Sequence, residues 1–180
     1  LELSPEREPG EQENHSVDFL KDVQKTLQLV QEETIDRILE LIHKSRRVEV
    51  YAAGSSRMVA AELVKRLQII GKPALCYDDS SLMNISARQV TPEDLVIVIS
   101  ASGETSRMIA AANTAKSCGA SIVSVTNLGS NTLSEMADVN VYANSTSFVQ
   151  SGIIIYSRAQ LLLVCEYIFF FFFECYGSRG

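Results

Sequence analysis

Three hydroxyl side chains and a glycine crowd one junction of this 180-residue chain. Ser100, Ser102, Gly103 and Thr105 stand in "DLVIVISASGETSRMIAAA", where an apolar run gives way to helical spacing. Hydroxyl donors at that point join the unpaired backbone N–H groups of a helix start and the positive end of its dipole, a combination that suits a small anion. Gly103 lets the backbone approach closely or turn to positive φ. The chemistry indicated is the holding of a monoester phosphate without a metal. No G-x-x-x-x-G-K-[ST] supplies a lysine for a nucleoside triphosphate, and "AAG" at 52–54 keeps only the last glycine of a G-x-G start, which argues against a dinucleotide.

A second cluster, Gly54, Ser55 and Ser56, closes the short β-branched stretch "VEVYAA". Serines after strands often do no more than cap helices. Two such loops favour a ligand if the fold brings them together, and the order of elements says that it does. "VEVYAA", "KPALCY", "TPEDLVIVIS", "ASIVSVT" and "DVNVYA" read as strands, separated by helical patterns in "SSRMVAAELVKRLQIIG", "TSRMIAAANTAKSCG" and, more briefly, "DDSSLMNISARQ" and "NTLSEMA". Strand–helix alternation predicts an α/β fold, a three-layer, doubly wound sandwich around a five-stranded parallel sheet of flavodoxin-like order 2-1-3-4-5. Ligands of such sheets bind beyond the carboxyl ends of the strands where the order reverses, between the first and third strands. Those are the two strands followed by hydroxyl-rich turns.

Residues 1–15 are charged and hold two prolines and a glycine, so they are expected to be a flexible leader or linker remnant. Apolar positions at three- and four-residue spacing over 16–45 predict one long amphipathic helix, or two with a break near Gln31 to Thr34. Residues 46–175 form the sandwich, and a last long helix is expected from about Ser151. The run "LLLVCEYIFFFFF" is shorter than the ~20 residues of a membrane span and is interrupted by Glu166. Its five phenylalanines suggest packing on two surfaces, such as the core and a partner subunit, and no membrane.

A net charge of −6 argues against a nucleic-acid binder, which needs a positive footprint. Cys76, Cys118, Cys165 and Cys175 are far apart with no C-x-x-C pair, which fits reduced thiols in a cytoplasmic protein rather than a disulfide framework or a metal site. The acidic start lacks the features of a secretory signal.

The stretches "YAAGSSRMVAAELVKRLQIIGKPA", "DLVIVISASGET" and "GASIVSVTNLGSNTLSEMADVNVYA" resemble, in order and spacing, the SIS (sugar isomerase) phosphosugar-binding domain. The resemblance covers about residues 46 to 145, and its most specific part is S-x-S-G-E-T. It implies a flavodoxin-like, usually dimeric domain that binds a sugar phosphate and needs no cofactor. By resemblance, Ser100, Ala101, Ser102, Gly103 and Thr105 hold the phosphate, Gly54, Ser55 and Ser56 meet the sugar, and Thr126 and Asn127 line the pocket. Where many members carry a second glycine before the first serine loop, this chain has Ala52.

The amphipathic segment before the first strand, the context "ISARQVTPEDLVIVISASGET" and the stretch "SEMADV" are most like the effector domain of RpiR-type transcriptional regulators. There DNA is met only through a helix-turn-helix domain upstream, and the terminal helices build a homo-oligomer, a dimer or tetramer. The alternative is a stand-alone aldose–ketose isomerase such as a phosphohexuloisomerase. That chemistry needs a base within reach of the substrate. His15 and His43 both lie in the N-terminal region, Glu104 sits in the phosphate loop, and Glu166 lies amid apolar residues of the last helix. If the chain catalyses, Glu166 or His43 is the candidate base. No convincing acid–base pair is present, so sensing is favoured and no catalytic residue is assigned. A third possibility is an adaptor whose pocket stays empty.

Overall fold

The computed structural model describes residues 12–150 and 153–177, with the side chains of 18–147 and 156–177. The strands β1 (Val48–Ala52), β2 (Ala74–Tyr77), β3 (Leu95–Ile99), β4 (Ser121–Asn127) and β5 (Val139–Ala143) form one parallel sheet in the order β2-β1-β3-β4-β5. Every residue of β1 and β3 is buried, as expected for central strands covered on both faces. The register pairs Ala52 with Ile99, so β1 and β3 end side by side.

Helices α2 (Glu32–Lys44), α3 (Arg57–Ile69) and α7 (Ala159–Tyr176) cover one face of the sheet. Helices α4 (Ser80–Ala87) and α5 (Ser106–Ser117) cover the other, with Leu133 from the short α6 (Thr132–Met136). On α2 the buried Ile35, Ile38, Leu39 and Ile42 lie at helical spacing on a single stripe. Each such side chain contributes roughly 1.5–3 kcal/mol through burial. The N-terminal helical region is two helices: α1 (Gln12–Leu29) and α2 are separated at Val30 and Gln31. Helix α1 therefore starts inside the stretch expected to be a leader, and residues 1–11 lie outside the described part. Buried Asp22 ties α1 to the loop after β5, accepting from Asn144 Nδ2 and the Thr146 N–H, each at 2.6 Å.

The amino end of the sheet is locked by charge. Glu49 is fully buried in β1, and its carboxylate lies 2.8 Å from Arg47 Nη2, 2.8 Å from the Tyr51 hydroxyl and 2.6 Å from the Ser86 hydroxyl on α4. Burial and the neighbouring Glu49 push the Tyr51 hydroxyl well above the ordinary phenol range, so it remains a donor.

The last helix differs from expectation. Residues beyond β5 first form an antiparallel hairpin, β6 (Ser147–Gln150) with β7 (Ile153–Tyr156), and only then α7, eight residues later than expected. Three consecutive isoleucines at 153–155 are β-branched and favour a strand over a helix. By length and composition alone α7 would suffice to cross a membrane. In the fold it is a core helix, with Leu161, Val164, Cys165, Ile168, Phe169 and Phe172 buried. Phe170, Phe171 and Phe173 face outward, at 53%, 37% and 46% exposure.

Candidate functional site

Helices switch faces between β1 and β3: α3 packs on one side of the sheet and α5 on the other. Their two N-termini flank a crevice at the carboxyl ends of the strands, as reversal of strand order requires. After β1, Ala53 is extended, Gly54 takes φ +59°, and Gly54–Ser56 makes a single 3-10 turn that runs into α3. Gly54 and Ser55 are exposed and Ser56 is buried. No side chain caps α3.

The loop after β3 is more constrained. The Ser100 N–H donates to the Val125 carbonyl at 3.0 Å, and the Asn127 N–H donates to the Ala101 carbonyl at 3.1 Å, so β3 and β4 stay zipped past the last regular pair. The Ser100 hydroxyl, in a residue only 4% exposed, accepts the Gly103 N–H at 3.2 Å and lies 3.4 Å from Thr105 Oγ1. Ser102 is exposed, and its hydroxyl accepts the Glu104 N–H at 3.2 Å. Thr105 is the N-terminal boundary residue of α5, and its side chain makes no capping bond. The first N–H groups of α5 thus lack a side-chain cap, and three hydroxyl-bearing residues immediately precede them in the chain.

Gly103 has φ +66°, and a Cβ there would lie 2.0 Å from Asn131 Oδ1. Asn131 is the neighbour that this glycine admits. Its Oδ1 caps α6 by accepting the Ser134 N–H at 2.9 Å, while its Nδ2 donates to the Thr126 hydroxyl at 3.2 Å and the Gly129 carbonyl at 3.1 Å. The Gly103 carbonyl accepts the Leu133 N–H at 3.1 Å. Glu104 reaches over the same helix start, accepting from the Thr132 N–H at 2.7 Å and its hydroxyl at 2.8 Å. Those two bonds hold the Glu104 carboxyl below its ordinary range. The hydroxyl-rich loop thus rests on α6, and Glu104 is engaged there. Asn131 and Thr132 were not among the residues singled out from sequence. The only local signal for them was the N-cap pattern of "SNTLSEM".

Thr126 is fully buried beneath Asn131. Asn127, at the tip of β4, is half-buried; its Oδ1 accepts from the Ser145 hydroxyl at 3.1 Å, and its Nδ2 has no partner. Of the two candidate bases, Glu166 lines a groove between α3 and α7 that also includes Ser55, and His43 is at the other end of the sheet. Glu166 on α7 is paired with Arg66 of α3 at 2.9 Å. His43 stacks on Tyr176, ring centroids 4.0 Å apart, at the C-terminal end of α2 and so at the amino end of the sheet, opposite the crevice. The side chain of His15 lies outside the described residues. Among the described residues no group of His, Cys, Asp and Glu has the arrangement of a metal site, and the four cysteines are all unpaired.

Comparison with known proteins gives a consistent answer. The regulator GlvR of Bacillus subtilis, an HTH-type transcriptional regulator, is 29% identical over 145 residues, 79% of this chain and 57% of GlvR. The structure of the Vibrio vulnificus NanR protein complexed with ManNAc-6P superposes with a TM-score of 0.80 at 26% identity, covering 92% of this chain and 64% of that one. The sugar isomerase domain of the RpiR transcription factor from Sphaerobacter thermophilus shares the fold at a TM-score of 0.83, with 23% identity over 93% of this chain and 94% of that one. The chain spans about half the length of the curated relatives it matches first. Residues 41–169 match the SIS domain family. With the parallel 2-1-3-4-5 sheet and the S-x-S-G-E-T loop at its switch point, this chain belongs to the SIS domain family.

Proposed function

We propose that this chain is the phosphosugar-binding, effector-sensing domain of a transcriptional regulator whose DNA-binding helix-turn-helix domain precedes it in the full-length protein. The observation that carries the reading is the start of α5: no side chain caps it, and Ser100, Ser102 and Thr105 surround it with hydroxyls. In the bound state the phosphate oxygens accept from those hydroxyls and from the main chain at Ala101 and Gly103. Gly54, Ser55, Ser56 and Asn127 meet the sugar, and Thr126 acts through Asn131. The relatives support the remainder, since HTH-type regulators longer than this chain recur among them and one neighbour is a complex with a sugar phosphate. Sensing then follows from linkage: the ligand shifts the regulator between arrangements by its differential affinity for them.

Sensing is preferred to isomerisation because Glu166 is neutralised by Arg66 and His43 is at the far end of the sheet. The domain is a cytoplasmic homo-oligomer, assembled through the outward phenylalanines of α7 and the exposed Phe19, Leu20 and Leu27 of α1. Thermal-shift titration with inorganic phosphate and a panel of aldose, ketose and N-acylhexosamine phosphates tests the reading. At 100 times Kd a true ligand stabilises by about 2.7 kcal/mol, and Ser102→Asp should abolish the shift. No stabilisation by any member, or a shift untouched by Ser102→Asp, overturns it. Turnover of any sugar phosphate by the same protein overturns the preference for sensing.

A further inference from the structure

Glu104 is an anion set inside a loop suited to anions. It stands between Gly103 and Thr105, the boundary residue of α5, and it is the only acidic residue from Ser100 to Thr132. The N–H groups of Met108 and Ile109 both donate to the Thr105 carbonyl, at 2.9 and 3.0 Å, and no side chain caps the helix. Those of Ser106 and Arg107 are therefore the open donors of this helix start among the described residues. A carboxylate one residue ahead of such a start is drawn to the open donors and to the positive end of the dipole, as a phosphate is. Left to itself, Glu104 would compete with the ligand for that place.

The fold directs the carboxylate elsewhere. Both of its oxygens are taken by Thr132, the first residue of α6: Oε1 accepts the N–H at 2.7 Å and Oε2 accepts the hydroxyl at 2.8 Å. The N–H of a first helical residue has no intrahelical acceptor, so it is available for this contact. The cap of α6 is supplied separately, by Asn131 to the Ser134 N–H. The Leu133 N–H, which donates to the Gly103 carbonyl at 3.1 Å, holds α6 beside the loop without help from Glu104.

We propose that Thr132 is a positioning residue for phosphate binding: it fastens the Glu104 carboxylate to α6 and so keeps a competing negative charge off the open start of α5. This rests on the phosphate reading of the loop after β3. Thr132 acts wholly through Glu104, which distinguishes it from a residue that only buttresses the loop, as Asn131 does beside Gly103.

Proline suits the first position of a helix, where no intrahelical bond is lost, and Asn131 before it is already extended at φ −152° and ψ 154°. Thr132→Pro therefore removes both donors and keeps α6, whereas Thr132→Val removes only the hydroxyl. The test compares wild type, these two variants, Glu104→Gln and the double variant Thr132→Pro/Glu104→Gln by calorimetric titration with inorganic phosphate, fructose 6-phosphate and N-acetylglucosamine 6-phosphate. One freed charge beside the site should weaken binding about fivefold in Thr132→Pro and about twofold in Thr132→Val. Glu104→Gln should bind at least as tightly as wild type, and the double variant should return to within about twofold of it. The deficit of Thr132→Pro should also shrink as ionic strength rises from about 0.05 M to about 0.5 M, because a screened charge repels less. Wild-type affinity in Thr132→Pro, in a protein that still binds phosphate, overturns this inference alone. So does a deficit that persists in the double variant or is indifferent to salt, since either makes Thr132 a structural support, and so does weaker binding by Glu104→Gln. Should Thr132→Pro fail to fold, Thr132→Val with and without Glu104→Gln carries the same comparison. If wild type binds none of the three probes, the phosphate reading falls and the role of Thr132 falls with it.

Discussion

Helices α3 and α5 begin differently from α4 and α6, although all four start at the carboxyl end of the same sheet. Helix α4 is capped by Asp79, whose Oδ1 accepts from the N–H groups of Ser81 and Leu82 at 2.9 and 3.0 Å, and α6 is capped by Asn131. Helices α3 and α5 have Ser56 and Thr105 at the same position, residues well able to cap, and neither side chain does so. The capped pair follows β2 and β4, and the uncapped pair follows β1 and β3, the strands that bracket the reversal of order. Completing a helix start from within the protein contributes stability, and leaving it open keeps its N–H groups for an external anion. The same residue classes thus serve two ends, and position in the sheet decides which.

The sharpest way to break this comparison is Gly103→Ala. Its Cβ would have to displace the Asn131 side chain, and the residue would keep positive φ, so the expected cost is about 3 kcal/mol, the sum of a left-handed residue and a lost cap. Gly54→Ala is the control: φ is similar at +59°, but nothing lies within 4 Å of the added Cβ, so about 1 kcal/mol is expected. Equal urea midpoints for the two variants would show that Asn131 does not buttress the loop.

Asn131→Ala ranks next, at about 2 kcal/mol, since it removes the α6 cap and the bond to buried Thr126. Asp79→Ala, which removes a more exposed cap, should cost about 1 kcal/mol. Thr105→Ala and Ser56→Ala should each change the ligand-free stability by less than about 0.5 kcal/mol, because no cap is lost. Thr105→Ala should nonetheless weaken sugar-phosphate binding. Apo stability that falls as far for Thr105→Ala as for Asp79→Ala would remove the distinction between open and closed helix starts.

The smallest effect is one of pH. Glu104 is held below its ordinary value by Thr132, so the stability it contributes is complete above the unfolded-state value of 4.5 and is lost as pH falls through the depressed folded value. Glu104→Gln should lower stability slightly at neutral pH, converge on wild type at low pH, and so flatten that part of the acid limb of the stability–pH curve. An unchanged acid limb would mean that the Thr132 hydrogen bonds contribute nothing specific to the ionised Glu104 carboxylate.

Much of this was legible in the chain. Unbroken apolar runs such as "LVIVI" announced central strands, and the strand–helix alternation announced a parallel sheet whose switch point falls between the two serine loops. The stretch around "SGIIIY" was misread because a short apolar run has no periodicity of its own, and only its β-branching pointed to β7. Glu166 looked like a stranded carboxylate amid phenylalanines, because its partner Arg66 is a hundred residues away in sequence.

The sequence by itself determined the local choices: which segments are strands, where glycine permits positive φ, and that a hydroxyl-rich turn meets a helix start. Those properties depend on neighbours a few residues apart. Only the tertiary structure decided which hydroxyls stay free, that Asn131 fills the space left by Gly103, and that His43 is remote from the crevice. Those facts depend on distances between segments far apart in the chain, set by sheet order and helix packing rather than by any local pattern.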